Sequence, residues 1–237
     1  MKLNTRLRKI AESIPQCRVI TDVGTDHAYI PIEAVTAGKC ERALAADLRP
    51  GPLRVAVANI KKFGLEGNIE TRLGDGLNPI DDSECDVIVI AGMGGPLIRK
   101  ILSDSFEKAK KSHRLLLQPN NAVDALRRWL YENGFKIAAE KLIEDSGKLY
   151  CLMEAEWTGK NVKKDEFTYY IGEMVFKDNN HLLDKYLEKK LGELNRIIIG
   201  RSRSDPGKVR RLEDETSMDT QTCIEIRDKL QTLFQPK

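Results

Sequence analysis

The chain is 237 residues long, 41% hydrophobic and 32% charged, with a formal net charge of +3. That composition suits a globular protein in water. No apolar run approaches the roughly 18 residues that span a bilayer, and the opening M-K-L-N-T-R-L-R-K-I has no signal-peptide core, so a cytoplasmic protein without a membrane partner is expected. The five cysteines are odd in number and form no C-x-x-C pair, and the three histidines lack ligand spacing, which reads as reduced structural thiols and no metal site.

Leu3, Leu7, Ile10 and Ile14 recur at helical spacing until Pro15, and the other side of that helix, with Arg6, Arg8 and Lys9, reads as solvated surface. Cys17 to Ile20 form a strand that runs into the polar turn T-D-V-G-T-D-H-A. A helix restarts around Ile30, with Pro31 in its first turn, and stops at Gly38. Ala43 to Ala46 form a second strand ending on Asp47, and Gly51-Pro52 starts a helix that Gly64 terminates. Ile69 to Leu73 form a third strand entering G-D-G at 74 to 76. The apolar strand Asp86 to Ile90 reads as buried on both faces, and A-G-M-G-G-P precedes an amphipathic helix marked by Leu97, Ile98, Ile101 and Leu102. Arg114 to Leu117 is the next strand. Pro119-Asn120-Asn121 reads as a turn and helix cap before a helix from Val123 to Tyr131.

Lys136 to Ile143 and Lys148 to Glu156, joined by E-D-S-G, predict an antiparallel hairpin. The whole predicts an α/β fold, a doubly wound Rossmann-like sheet of seven strands ending in that hairpin, over residues 1–157. Residues 158–164 read as a linker. From 165 to 237 the pattern is helical, with one stripe of Leu182, Leu183, Tyr186, Leu187, Leu191, Leu194 and Ile198 and a second of Leu212, Cys223, Ile226, Leu230 and Leu233, an antiparallel helical hairpin.

The glycine turn invites comparison with the dinucleotide fingerprint G-x-G-x-x-G, but Asp26 stands where the second glycine belongs. A carboxylate there is bulky and repels phosphate, whereas S-adenosylmethionine carries an amino group and a sulfonium and no phosphate, so Asp22 and Asp26 can face its positive charge. The alternative is that both aspartates only cap the turn and helix. Asp47, about 20 residues after the turn, is placed to accept ribose hydroxyls, and Asp75 to meet the adenine amino group. Asp47 alone would suit NAD equally.

Together D-V-G-T-D-H-A-Y-I-P, A-A-D-L-R-P-G-P-L, G-D-G-L, I-A-G-M-G-G and L-Q-P-N-N resemble the bacterial tRNA (adenine-N1)-methyltransferase family called TrmK, which methylates adenine 22 of tRNA. The resemblance implies a class I S-adenosylmethionine-dependent methyltransferase fold, a coiled-coil-like helical domain and a tRNA substrate; a monomer is expected. It implies a cofactor site lined by Asp22, Gly24, Asp26, His27, Asp47, Leu48, Asp75, Gly76, Ala91 and Gly92. Amino-methylating relatives of the wider class usually carry D/N-P-P-Y/F where this chain has A-G-M-G-G. That departure disfavours amino methylation.

Adenine N1 already has an in-plane lone pair, so no general base is required and catalysis reduces to positioning. Candidates at the reacting centre are Asp26, Tyr29, Met93 and Asn120. Tyr29 would stack on the flipped adenine or pack the first core helix, and Met93 would wall the pocket or fill a gap. Asn120, or backbone oxygens around Gly92, would accept from the adenine amino group, unless Asn120 is merely part of a turn. For tRNA phosphates the basic run 201–211, with Arg201, Arg203, Lys208, Arg210 and Arg211, is the candidate, a solvated loop being the alternative. Two rival readings share the fold: an NAD-dependent oxidoreductase and a non-catalytic RNA-binding scaffold.

Overall fold

The structure, a computed structural model, describes residues 3–84, 86–177, 181–202 and 218–234. Its sheet holds seven strands: β1 (Cys17–Val23), β2 (Cys40–Asp47), β3 (Ile69–Leu73), β4 (Val87–Met93), β5 (Arg114–Pro119), β6 (Phe135–Asp145) and β7 (Lys148–Trp157). The spatial order is β3-β2-β1-β4-β5-β7-β6, with β1 to β5 parallel and β7 antiparallel to both β5 and β6. The helices are α1 (Thr5–Ser13), α2 (Tyr29–Thr36), α3 (Pro50–Lys62), α4 (Gly95–Asp104), α5 (Phe106–Lys111), α6 (Val123–Glu132), α7 (Glu166–Ile171), α8 (Leu183–Ser202) and α9 (Thr220–Leu233).

The central strands read as unbroken apolar runs because both sheet faces are covered. Val87, Val89 and Leu116 point into one core with Ile10, Ile32 and Ile60 of α1 to α3 and with Ile14 just after α1. Their strand neighbours Ile88, Ile90, Leu115 and Leu117 point into the other, with Ile98 and Leu102 of α4 and Leu126 of α6. The predicted strands are all present. Most run longer than expected, β1 and β4 by three residues at their C-terminal ends, so Asp22 and Met93 are strand residues rather than loop residues. The E-D-S-G turn tightens to Ser146-Gly147, both at positive φ (51° and 74°), the geometry of a two-residue type I′ hairpin.

The second core continues past the sheet without a break, taking in Tyr169, Tyr170, Ile171, Tyr186, Leu187 and Leu194 and then Cys223, Ile226 and Leu230 of α9. Leu233, expected in the stripe, is exposed, and Leu212 lies outside the described residues. Residues 158–164 are hydrogen-bonded onto the end of α6: the N–H groups of Thr158 and Gly159 donate to Gly134 O, and that of Val162 to Tyr131 O. At the junction Arg127 is fully buried. Its Nε donates to Glu140 Oε1 at 2.6 Å, its Nη1 to the carbonyls of Tyr169 and Tyr170 at 2.9 and 3.0 Å, and its Nη2 to Tyr186 Oη at 3.4 Å. Burial alone would depress this guanidinium; the charge of Glu140 overrides it and holds Arg127 well above its ordinary value. Gly172, at φ +98°, passes so close that a Cβ there would overlap Glu140 Oε2 and stand 2.8 Å from Arg127 Nη2.

Removing one partner of such a pair strands a buried charge, at a cost of about 3–5 kcal/mol. Arg127→Met is therefore expected to lower unfolding stability by about that amount in urea titration. Gly172→Ala, which leaves the pair chemically intact, should destabilise through strain and overlap at the same place.

Candidate active site

The sheet changes direction between β1 and β4. The chain leaves β1 toward β2 and β4 toward β5, which opens a crevice above the C-terminal ends of the two neighbouring strands, where ligands bind in open α/β sheets. The first rim is the glycine turn. The N–H groups of Gly24 and Thr25 both donate to Ala46 O, at 2.8 and 2.9 Å, folding the turn over the end of β2 with Gly24 at φ +78°. The residue capping α2 is Ala28, at φ 57° and with no side-chain bond, so neither aspartate of the turn caps this helix.

Asp22 is the buried member of that pair, 5% exposed. Burial pushes its carboxyl up to about 7. Nearby Thr25 pulls the other way, and the charge of Asp47 adds to the rise. Thr25 Oγ1, though close enough to act on Asp22, is buried without a hydrogen bond of ordinary geometry. Asp47 is also buried, and its Oδ1 accepts from Arg49 N at 2.8 Å. Asp26, by contrast, is 71% exposed and lies 3.1 Å from His27 Nε2, and the His27 ring stacks on Tyr29 at 5.0 Å between centroids. Leu48 and Asp75 are exposed, while Gly76, at φ +56°, turns against Ile101. The structure thus gathers Asp22, Gly24 and Asp47 at one edge. It leaves Asp26 and His27 on the rim and Asp75 beyond β3.

The second rim follows β4. A Cβ on residue 24 would collide with Met93 Cε, so Met93 closes over the glycine turn, and Gly92 is exposed at φ +79°. Asn120 folds back onto this rim: its N–H donates to Met93 O and its Nδ2 to Gly92 O, both at 2.7 Å. Its Oδ1 accepts from Gln118 Nε2 at 3.1 Å, and Gln118 Oε1 accepts from Arg6 Nη1 at 2.6 Å. The expected helix cap at 119–121 is corrected: Ala122, at φ 46°, caps α6 without a side-chain bond. Asn121 serves α4 instead, its Oδ1 and backbone O both accepting from Gly95 N, because the start of α4 presses on this turn. Sequence reasoning missed Arg6 and Gln118. A glutamine inside the apolar run L-L-L-Q-P was the one available signal, since a buried amide needs partners.

A family model described as a methyltransferase domain matches residues 3–153. Among curated proteins, the tRNA (adenine(22)-N(1))-methyltransferase of Bacillus subtilis is 39% identical over 175 residues, covering 74% of each chain. The crystal structure of the B. subtilis M1A22 tRNA methyltransferase TrmK matches with a TM-score of 0.79 and 33% identity, over 96% of this chain and 99% of that one. The chain belongs to the TrmK family of methyltransferases. A further family structure, M. capricolum TrmK in complex with the cofactor product S-adenosyl-homocysteine, matches with a TM-score of 0.78 and 29% identity over 98% and 99% of the two chains. Membership settles the choice of class in favour of a methyltransferase over the oxidoreductase and scaffold readings.

Beside the catalytic edge of this methyltransferase runs a groove of about 890 Å³, from Asn120 and Asn121 along α8, with Lys148, Lys185, Lys189 and Arg196 on its walls. Arg201 at the end of α8 donates to Met218 O at 2.7 Å, tying the two long helices together. Arg203, Lys208, Arg210 and Arg211 lie outside the described residues.

The raised carboxyl of Asp22 has a pH signature. The folded protein keeps a proton there that the unfolded chain has already lost, so stability from this site is present in acid and is lost as pH rises toward about 7. Asp22→Asn should gain stability over the parent at about pH 8 and lose that advantage near about pH 4, read by urea unfolding at both.

Proposed function

We propose that this chain uses S-adenosylmethionine to methylate N1 of an adenine in the D-arm region of tRNA, at position 22 as in its named relative. The cofactor fits the edge just described. Asp22 and Thr25 are buried polar groups at the crevice, with Thr25 Oγ1 lacking a hydrogen bond of ordinary geometry, and Asp47 ends the neighbouring strand where ribose hydroxyls can be accepted. Ala91 and Gly92 bound the site from β4, with Leu48 and Gly76 toward the adenosine end and Asp26, His27 and Asp75 on the rim. Bound there, the cofactor supplies an electrophilic methyl group on a sulfonium.

The observation that carries the choice of N1 is the acceptor pair of Gly92 O and Asn120 Oδ1. Each already accepts one hydrogen bond and keeps a lone pair for the adenine amino group. Acceptance there raises electron density at N1, whose in-plane lone pair makes the new bond. The product is a cation, and no proton has to be removed. The protein's part is alignment and the exclusion of water, with Met93 walling the site. Tyr29 offers a stacking surface worth about 1–3 kcal/mol, although His27 already holds one of its faces, so a base takes the other or displaces His27. The tRNA strand would lie along the basic groove beside α8, and the cations of 201–211 would meet its phosphates.

Tritiated methyl transfer to unmodified tRNA, followed by nucleoside mapping, should give N1-methyladenosine in the D-arm; label at an amino nitrogen or a carbon would overturn the assignment. Asn120→Ala should lower kcat by about 10- to 100-fold, the worth of a hydrogen bond to a group gaining charge, with KM for tRNA little changed. Cofactor affinity should weaken as pH falls below about 7, where Asp22 takes up its proton, and the Asp22→Asn variant should bind weakly at every pH.

A further inference from the structure

We infer that Arg6 is a positioning residue for the reacting centre, acting through Gln118 to fix which way Asn120 presents its amide. The inference rests on the reading of Asn120 as an acceptor for the substrate base. The argument is one of donors and acceptors. Arg6 can only donate, so Gln118 must turn its oxygen to it, across the 2.6 Å contact. The Gln118 amino group then points to two acceptors, Pro119 O at 3.0 Å and Asn120 Oδ1 at 3.1 Å. Asn120 is left with its amino group toward Gly92 O, which can only accept, at 2.7 Å. A donor-only group at one end and an acceptor-only group at the other leave a single orientation for both amides.

Without Arg6 the buried Gln118 oxygen loses its donor, and the amide that holds Asn120 Oδ1 in place is free to leave that position, so Asn120 no longer keeps its oxygen aimed where the base needs it. Arg6 is itself well held. Its guanidinium lies 5.4 Å from the Tyr150 ring centroid and 3.3 Å from where a Cβ on Gly92 would stand. Among the described residues it makes no ion pair, so its charge is committed to a neutral amide that is fully buried.

The test compares Arg6→Met, Arg6→Lys, Asn120→Ala and the double variant Arg6→Met with Asn120→Ala. Arg6→Met should lower kcat by about 10-fold or more, with the tRNA KM and cofactor Kd within about twofold of the parent. Arg6→Lys, still donor-only, should recover most of that loss. The double variant should be no slower than Asn120→Ala by more than about twofold, because both changes remove one function. A rise in tRNA KM with a flatter salt dependence would overturn the proposal in favour of phosphate binding, and a rise in cofactor Kd in favour of a carboxylate contact. Additive losses with a lowered unfolding midpoint would reduce Arg6 to a structural role. Side-chain amide resonances of Gln118 and Asn120, followed by NMR, supply a readout that needs no activity. They should broaden or shift in Arg6→Met, and if they stay unchanged the inference fails even where the methylation reading stands.

Discussion

The buried charge pair of Arg127 and Glu140, set in a core shared by sheet and helices, joins this protein's two kinds of architecture. Arg127 on α6 and Glu140 on β6 are both fully buried, and taking two ions from water is repaid only when the remaining donors and lone pairs are met. Here they are met largely by the polypeptide beyond the sheet. The carbonyls of Tyr169 and Tyr170 and the Tyr186 hydroxyl take Arg127 N–H groups, Met174 N donates to Glu140 Oε2 at 3.3 Å, and Tyr186 Oη donates to Ile171 O at 2.8 Å. The helical region is thus the second half of a solvation shell, and detaching it would leave an ion pair half-dressed.

The same economy of placement governs the catalytic edge. Five parallel strands deliver their C-terminal ends to one side of the sheet, and the reversal between β1 and β4 opens the crevice there. Asp22 carries the cost: a carboxylate with 5% exposure next to a second buried aspartate is unfavourable until something positive meets it. Electrostatic stress at such a point is of the kind a cationic ligand would relieve, which is why Asp22 is proposed to face the cofactor.

Much of this was legible in the sequence. The strand and helix order, the hairpin after β5 and the acidic ends of β1 and β2 follow from periodicity and from glycine and proline punctuation, which are local signals. What was not legible is long-range. The basic side of α1 looks like any solvated face, and nothing near Arg6 tells of a glutamine 112 positions away. The turn residues failed for a related reason. Asn121 has the chemistry of a helix cap and is one, but for α4, because the cap is claimed by whichever helix end packs closest. Ala28 and Ala122 hold left-handed conformations that residue preference does not foretell. Asp26 drew attention because it breaks a glycine pattern, yet the buried carboxylate proved to be Asp22.

Helix α6 joins these themes. Ten residues span about 15 Å. The turn at its start carries Asn120 and Asn121 against the catalytic rim, and its middle carries Arg127, clasped by the helical region. It is therefore a lever whose fulcrum is the sheet, with the helical region bearing on its shaft and the rim of Gly92 and Met93 at its tip. Since a displacement of about 1 Å at a reacting centre can cost about 100-fold in rate, the packing around Tyr169 to Gly172 is calibrated machinery as much as scaffolding. On the proposed reading of Asn120, sequence change there would be felt at the chemistry from a distance, with no atom of the site replaced.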